Sequence, residues 1–341
     1  MQPPQKNYLK KGPHIVVVGG GTGLSVLLRG LKEYTSNITA IVSVTDDGGS
    51  SGKLRGQLGI LPPGDLRNCL VALADTEPAM EKLFSYRFTQ GEELAGHNLG
   101  NLLIAAMTDL TGSFEAAINE VGKVLAIRGK VVPATYANLV LGAELADGSM
   151  AMGESAISQS SQRIKRVFLE PAVCEPALKA IEAIGEADVI VLGPGSLYTS
   201  IIPNLLIPGM REAIKQARGL KIYVCNVMTQ AGETKGYTAG DHLAALYEHS
   251  VQGLVDYMIV NSQKIPSHYE KRYAAEGAQL VQIDRERIAQ MGVKLLQMPL
   301  IQENNYIRHN SQKLAALLLR LIFTPYLFGE RKRLNNLQKE G

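Results

Sequence analysis

The feature that most constrains this chain is a glycine-rich turn between an apolar run and a helical pattern. Residues 15–18 are Ile and Val, and residues 24–31 repeat leucines at helical spacing after the turn. A strand, a glycine turn and a helix place backbone N–H groups at a helix N-terminus, where the helix dipole also favours an anion. Glycine lets the backbone approach a phosphate closely. We therefore expect the turn to bind a nucleotide phosphate through Gly19, Gly20, Gly21, Thr22 and Gly23.

The turn matches neither of two common phosphate-binding motifs. In the dinucleotide pattern G-x-G-x-x-G, Gly19 and Gly21 fit, but Leu24 stands at the sixth position. No Gly-Lys-Ser/Thr follows, so the Walker pattern is not met either. A tight βα turn without a ligand is therefore a second interpretation.

A pair of acidic residues follows the second apolar run. The apolar run at residues 38–44 is followed directly by the sequence TDDGGSSG at 45–52. Asp46 comes about 25 residues after the first turn, close to the ~20 typical of the acid that binds a ribose hydroxyl. Asp46 and Asp47 together are also a candidate Mg²⁺ site that offsets phosphate charge. The alternative, that both residues only initiate a turn, stays open.

Two further helix starts carry polar side chains. Asp65 follows Pro-Pro-Gly and is expected to cap the helix that begins there, and both Asp65 and Asn68 are candidate nucleotide contacts. Asn98 is expected to cap a later apolar helix, with Asn101 three residues on and therefore on the same face. Amides both donate and accept hydrogen bonds, which suits a base, a ribose or a sugar.

A second glycine loop follows the apolar strand at residues 187–192. Its hydroxyls and backbone N–H groups can donate to a phosphate at the strand's carboxyl end. The candidate contacts in this loop are Gly193, Pro194, Gly195, Ser196, Tyr198 and Thr199. A hydroxyl-rich turn without a ligand is the alternative. Further along, Gln230 follows another strand and is also a candidate nucleotide contact. Arg308 either contacts a pyrophosphate or forms an ion pair at the surface.

Strand and helix patterns alternate over most of the chain. This predicts an α/β fold with one open, doubly wound, mostly parallel sheet of five or six strands. Between residues 131 and 170 the pattern changes to short β-like runs and turns. That change predicts a small β-rich subdomain inserted into the main fold.

Composition narrows the class of protein. The net charge of +3 arises at the two ends, which together carry +5, so residues 13–328 carry −2 and give no reason to expect a nucleic-acid partner. The three cysteines are far apart and form no Cys-x-x-Cys pair, which favours reduced thiols in the cytoplasm. The N-terminus lacks the apolar region of a signal peptide, and the apolar stretch at 314–323 is too short for a membrane span.

Five of these motifs, in this order, resemble the CofD-like family, and most closely its bacterial YvcK branch, the gluconeogenesis factors. They are GGGTGL at 19–24, DDGGSSG at 46–52, PGDLRN at 63–68, GHNLGN at 96–101 and GPGSLYTS at 193–200. The resemblance covers residues 13–323 and leaves 1–12 and 324–341 as tails. It implies a modified Rossmann-like fold and a cytoplasmic protein. We therefore expect a single domain over residues 13–323 that contains the β-rich insertion at 131–170.

The resemblance implies two different functions. The namesake branch is a magnesium-dependent transferase that joins a phospholactyl group to a deazaflavin alcohol. The YvcK branch is associated with gluconeogenic growth, cell shape and peptidoglycan synthesis, and with binding UDP-sugars. Nucleotide binding is carried over to the two glycine loops, and a metal role to Asp46 or Asp47.

The leading hypothesis is a UDP-sugar-binding regulatory protein whose glycine turns hold the pyrophosphate. Asp46, Asn98 and Asn101 would then contact the ribose, base or sugar. No Ser-His-Asp order or Cys-His pair stands out, so no catalytic residue is assigned. The alternatives are a magnesium-dependent transferase similar to 2-phospho-L-lactate transferase, and an NAD(P)-binding protein. A homo-oligomer and a protein partner in cell-wall synthesis are further expectations.

Overall fold

The computed structural model describes residues 12–303 and 305–323. Its strands are β1 (Ile15–Gly19), β2 (Ile38–Val42), β3 (Lys130–Pro133), β4 (Val140–Leu145), β5 (Met150–Met152), β6 (Ile164–Glu170), β7 (Val189–Leu192), β8 (Leu220–Val224), β9 (Tyr257–Asn261), β10 (Lys294–Met298), β11 (Ile301–Glu303) and β12 (Ile307–His309). Its helices are α1 (Gly21–Leu31), α2 (Gly49–Leu58), α3 (Gly64–Leu73), α4 (Pro78–Ser85), α5 (Leu99–Thr111), α6 (Phe114–Val124), α7 (Glu154–Gln159), α8 (Leu178–Glu186), α9 (Ile202–Leu206), α10 (Met210–Gln216), α11 (Ala239–Glu248), α12 (Ser267–Ala275), α13 (Arg285–Gln290) and α14 (Ser311–Phe323). A π-helical turn, Leu197–Ile201, precedes α9.

A seven-stranded parallel sheet forms the centre of the fold, in the order β10-β9-β8-β7-β1-β2-β3. β1 lies between β7 and β2 and is parallel to both. All of its residues are buried, because the sheet is covered on both faces, and this accounts for its unbroken apolar sequence. The predicted α/β fold with a doubly wound, mostly parallel sheet is confirmed.

The strand order reverses between β1 and β7. From β1 the chain adds β2 and β3 on one side, and from β7 it adds β8, β9 and β10 on the other. In open α/β sheets, ligands bind at such a switch point, in the crevice outside the carboxyl ends of the strands. The first glycine turn follows β1 and the second follows β7, so both lie at this crevice.

Alternate residues of β1 face two hydrophobic cores. Ile15 and Val17 belong to the core that includes α1, α3 and α14, whereas Val16 and Val18 belong to the core that includes α8 to α11. α1 and α14 pack closely at Gly30, where an added side chain would collide with the backbone of Ser311. This packing fixes α1 on the sheet directly after the first glycine turn.

The predicted insertion forms its own small sheet. β4, β5 and β6 are antiparallel, in the order β5-β4-β6. Lys130–Pro133, which the sequence placed at the start of the insertion, instead pairs with β2 and is an edge strand of the large sheet. The insertion is joined to α11 because His249 Nε2 accepts a hydrogen bond from Val167 N at 3.0 Å.

The predicted tails, 1–12 and 324–341, fall outside the described residues except for residue 12. The single-domain assignment over residues 13–323 stays a prediction. Within the described ranges, the helices are too short or too polar to cross a membrane.

Candidate functional site

The two glycine loops touch each other at the switch point. α1 begins after Gly20, which has extended backbone and offers no side chain to cap the helix. A Cβ added at Gly23 would lie 2.6 Å from the carbonyl oxygen of Pro194, and one added at Gly195 would lie 3.2 Å from that of Gly20. Glycine at these positions therefore allows the two loops to form one continuous wall.

The carboxylate of Asp65, in α3, contacts the first glycine turn. Asp65 Oδ2 accepts a hydrogen bond from Gly21 N at 2.6 Å. The expectation that Asp65 caps α3 is wrong, because α3 begins at Gly64 after Pro63 and has no side-chain cap. Burial raises the pKa of Asp65 to about 6, and the charge of Asp46 acts in the same direction. Asp65 thus holds the first glycine turn against α3, and it takes up one of the N–H donors of that turn.

The next two N–H groups of the turn are the candidate phosphate donors. Thr22 and Gly23 are the second and third residues of α1, so helix geometry gives their N–H groups no acceptor within the helix. Both residues line a cleft beside the turn. An anion in this cleft would meet those donors and the positive end of the α1 dipole.

The second loop is held from the protein interior by Glu233. Glu233 Oε2 accepts a hydrogen bond from Tyr198 N at 3.1 Å, and Oε1 accepts one from Thr199 Oγ1 at 3.0 Å. Tyr198 and Thr199 are each 1% exposed, and Tyr198 Oη lies 2.8 Å from Tyr237 Oη. Their side chains face the interior and not the cleft, unlike the sequence-based expectation, because a buried carboxylate takes up the available donors.

The cleft has a volume of about 250 Å³. The predicted contacts that line it are Gly20, Gly21, Thr22, Gly23, Pro194, Gly195, Ser196, Gln230 and Arg308. Gly19 and Gly193, at the ends of β1 and β7, do not belong to this lining. A polar chain crosses its floor, since Gln230 Nε2 donates to Ser196 Oγ at 2.7 Å and Asn226 Nδ2 donates to Gln230 Oε1 at 3.3 Å.

Arg308 reaches the cleft from the β11–β12 hairpin. This hairpin is held by α12, because Ile307 N donates to Tyr273 Oη at 2.9 Å and Arg272 Nη1 donates to Asn305 O at 2.7 Å. Arg308 and Tyr273 both line the cleft. In the part of the chain that the structure describes, no carboxylate forms an ion pair with Arg308, so its guanidinium is available to an anionic ligand.

Asp46 and Asp47 accept hydrogen bonds from different partners. Asp46 Oδ1 accepts a hydrogen bond from Gly48 N at 2.9 Å. Asp47 Oδ1 accepts from Ser155 N and Ser155 Oγ, at 2.9 and 2.7 Å, and so ties the loop after β2 to the insertion. Among residues 12–303 and 305–323, no three His, Cys, Asp or Glu side chains are grouped as metal ligands. The two aspartates therefore have separate structural partners.

The predicted amide contacts lie outside the cleft, around the starts of α2, α3 and α5. Asn98 Oδ1 accepts a hydrogen bond from Asn101 N at 3.1 Å, so Asn98 caps α5 as predicted. Asn101 Nδ2 lies 3.5 Å from Ser51 Oγ, and Asn68 Oδ1 accepts from Arg67 Nη2 at 2.6 Å. None of these three amides belongs to the lining of the cleft, although Asn68 interacts with Asp65, which holds the first glycine turn.

Two acids near the loops, Glu233 and Glu154, carry no sequence pattern that predicts a site residue. Glu154 begins α7 of the insertion. Burial raises the pKa of Glu154 to about 9, and the charges of Asp65, Asp46 and Glu233 act in the same direction. No sequence signal marks either residue, since a single acid in a polar turn is usually exposed to solvent.

Comparison with known proteins identifies the family. The family described as "2-phospho-L-lactate transferase CofD" matches residues 15–301. The chain belongs to the CofD family. One CofD-family relative is the "Gluconeogenesis factor" of Bacillus subtilis (strain 168), which is 52% identical over 311 residues, or 91% of this chain and 98% of that protein. Another is the "Gluconeogenesis factor" of Halalkalibacterium halodurans, 51% identical over 310 residues, or 91% of this chain and 96% of that protein.

Solved structures share this fold. A crystal structure of a Bacillus halodurans protein matches this CofD-family chain with a TM-score of 0.89 at 51% identity, covering 91% of this chain and 100% of that one. A crystal structure described as a UPF0052 family member, also from Bacillus halodurans, matches with a TM-score of 0.88 at 51% identity. The predicted resemblance to the CofD-like family and its gluconeogenesis factors is confirmed.

Proposed function

We propose that this CofD-family protein binds a nucleotide diphosphate-sugar of the UDP-sugar class in the cleft that its two glycine loops line. In this proposal it is a cytoplasmic regulatory protein for growth on gluconeogenic carbon sources, cell shape and peptidoglycan synthesis. It acts through a protein partner in cell-wall synthesis, as a homo-oligomer. Each of these roles depends on the ligand, so the ligand is the part to test first.

The observation that carries the proposal is the contact between the two glycine loops at the switch point, with Arg308 on the same cleft. An added Cβ at Gly23 would lie 2.6 Å from Pro194 O, so the backbones approach as closely as glycine permits. Arg308 adds a guanidinium without a carboxylate partner in the described ranges. Backbone donors, a helix dipole and an arginine together suit a pyrophosphate.

The other lining residues suit the rest of a nucleotide-sugar. The Gln230–Ser196 pair offers polar atoms for ribose or sugar hydroxyls. Tyr273 offers an aromatic ring at the cleft for a base to stack on. Ser196 Oγ accepts a hydrogen bond from Gln230 and has no histidine partner among the described residues, so the cleft suits binding more than acyl-type catalysis.

The names of similar proteins support the physiological part of the proposal. Two relatives called gluconeogenesis factors align with 91% of this chain at 51–52% identity. Both alignments span at least 96% of the relative, so they compare nearly whole proteins. We therefore extend the gluconeogenic role of those relatives to this chain.

Calorimetric titration tests the ligand. We expect heat on titration with UDP-N-acetylglucosamine, and none with NAD or GTP, both with and without Mg²⁺. Arg308→Ala should weaken UDP-N-acetylglucosamine binding at least about tenfold, the loss expected for a charge-assisted phosphate contact. Arg211→Ala, at an exposed arginine paired with Glu212, is the matched control and should bind like wild type. No heat with any UDP-sugar would overturn the proposal.

A magnesium-dependent transfer of a phosphoryl-linked group is a second candidate function. It is favoured by the proximity of Asp46 to Asp65, beside the first glycine turn. The negative charge of Asp46 contributes to the raised pKa of Asp65. Two carboxylates next to a phosphate site suit Mg²⁺. Asp46 and Asp65 would hold the ion, because Asp47 already accepts a hydrogen bond from Ser155 Oγ. Bound there, Mg²⁺ would neutralise charge on the phosphate oxygens.

This second function has its own test. Mg²⁺-dependent release of UMP or GMP in the presence of an alcohol acceptor would favour it. Asp46→Ala should then abolish the release, while Asp47→Ala should retain it. Turnover that persists in Asp46→Ala would reject the metal role of Asp46.

A further inference from the structure

Glu233 is a buried carboxylate next to the second glycine loop, with 4% of its surface exposed. It follows β8 in the segment that also brings Gln230 to the cleft. It accepts hydrogen bonds from Tyr198 N and Thr199 Oγ1, in the loop after β7. Glu233 therefore joins the segments that follow two neighbouring strands.

The surroundings of Glu233 do not neutralise its charge. In the described ranges, no Lys or Arg forms an ion pair with it. Burial raises the pKa of Glu233 above its ordinary value, and the hydrogen bonds from Thr199 and Tyr198 oppose this. A buried, unpaired acid is unfavourable for stability, and such groups concentrate at functional sites.

The loop that Glu233 holds is also the loop that meets the first glycine turn. Pro194 and Gly195 lie against Gly23 and Gly20 at the separations given above. Tyr198 and Thr199 come only a few residues later, and their donors point to Glu233. Loss of this acceptor would free the loop to move away from the first turn.

We propose that Glu233 is a positioning residue for nucleotide binding, which holds the second glycine loop against the first. It does not line the cleft and therefore acts through the loop and not on the ligand. This inference rests on the proposed function, because it concerns the same cleft.

Two substitutions at Glu233 test the inference, with calorimetric affinity for UDP-N-acetylglucosamine and the thermal unfolding midpoint as readouts. Glu233→Ala should weaken binding at least about tenfold, because two loop donors lose their acceptor. Glu233→Gln should stay within about threefold of wild type, since its carbonyl oxygen still accepts from Tyr198 N and its NH₂ can donate to Thr199 Oγ1.

Asp284→Ala is the matched control. Asp284 also accepts from a backbone N–H and a threonine hydroxyl, namely Gly240 N at 2.6 Å and Thr238 Oγ1 at 2.8 Å, and it does not line the cleft. This control should lower the unfolding midpoint and leave affinity within about twofold.

The outcomes separate cleanly. Wild-type affinity in Glu233→Ala would overturn the inference, as would an equal loss of affinity in Asp284→Ala or a Gln variant as weak as the Ala variant. If Glu233→Ala does not fold, Thr199→Val replaces it and should weaken binding at least about threefold, and unchanged affinity there would overturn the inference. Wild-type protein that binds no UDP-sugar would instead overturn the proposed function itself.

Discussion

Asp65 Oδ2 lies 2.6 Å from Gly21 N, at the N-terminus of α1. This is the position where a helix dipole favours an anion. Gly21 has a φ of +67°, in the left-handed region that favours glycine, so the turn reaches Asp65 without strain. The turn thus binds a carboxylate of its own chain through one N–H group and leaves those of Thr22 and Gly23 for a ligand.

Replacing Asp65 by Asn should strengthen binding of a nucleotide diphosphate in Mg²⁺-free buffer. The amide oxygen can still accept from Gly21 N, while a negative charge beside the phosphate is removed. We expect an increase in affinity of about three- to tenfold for UDP-N-acetylglucosamine, measured by calorimetry. Asp75→Asn is the control, because Asp75 pairs with Arg128 outside the cleft and its loss should leave affinity unchanged. Weaker binding by Asp65→Asn would contradict the expected repulsion.

Replacing Gly23 by Ala should separate the two glycine loops. The added Cβ would lie 2.6 Å from Pro194 O and 3.0 Å from Gly195 Cα, and backbone atoms cannot yield as a side chain can. We expect a loss of about 1–3 kcal/mol in the free energy of unfolding and a loss of UDP-sugar binding. Urea unfolding and calorimetry measure the two effects.

Gly56→Ala provides the matched control for this change. Gly56 lies in α2, and nothing is within 4 Å of an added Cβ. Alanine there should stabilise the protein by about 0.5–1 kcal/mol, the usual helix preference, and leave binding unchanged. Full UDP-sugar binding by Gly23→Ala would show that the loop contact is not needed for the ligand.

The glycine loops could be predicted because their signal is local. Each consists of a buried β-branched run followed directly by glycines and then by a helix, as at residues 15–24 and 187–201. The edge strands were harder to predict. Lys294–Met298 is only partly buried and Lys130–Pro133 is short, so neither carries the continuous apolar run of a central strand.

The partners of the loops could not be predicted, because they come from distant parts of the chain. Asp65 has the sequence context of a helix cap, yet it contacts Gly21, 44 residues earlier. Glu233 contacts Thr199, 34 residues earlier. It accepts the hydrogen bond that the sequence of the loop alone predicts for a phosphate. Tertiary contacts therefore decide which of the predicted donors remain available to a ligand.

His309 should make the protein less stable in mild acid. Burial lowers the pKa of His309 to about 4, although a hydrogen bond to the Cys225 backbone acts to raise it. The folded state keeps the ring neutral while the unfolded chain takes up a proton below pH 6.5. The free energy of unfolding should therefore fall as pH decreases from 6.5 toward 4, with about 2 kcal/mol of this contribution lost by pH 5.

Urea unfolding at pH 7 and pH 5 measures this dependence. In His309→Gln the difference in unfolding free energy between the two pH values should be smaller than in wild type by about 2 kcal/mol. Burial also lowers the pKa of His242 and of His249, and both remain in the variant. The exposed His268 provides a control, since His268→Gln should keep the wild-type dependence. An unchanged dependence in His309→Gln would contradict the assignment.

Replacing Glu154 by Gln should stabilise the protein, and most strongly at alkaline pH. Burial, reinforced by Asp65 and Asp46, raises the pKa of Glu154 from 4.5 to about 9. The folded state therefore holds the proton between these values while the unfolded chain releases it, so this group lowers the free energy of unfolding as pH rises from 4.5 to 9.

Glutamine cannot ionise, so the variant should lose that dependence. We expect Glu154→Gln to raise the unfolding free energy by about 1–3 kcal/mol at pH 8 and to change it little at pH 5, as measured by urea unfolding. Glu182→Gln, at an exposed position of α8, should have no effect at either pH. A Gln variant less stable than wild type at pH 8 would mean that the ionised carboxylate is favoured by its surroundings. Glu154 would then act as an anion, and not as the neutral acid that its burial near Asp46 and Asp65 implies.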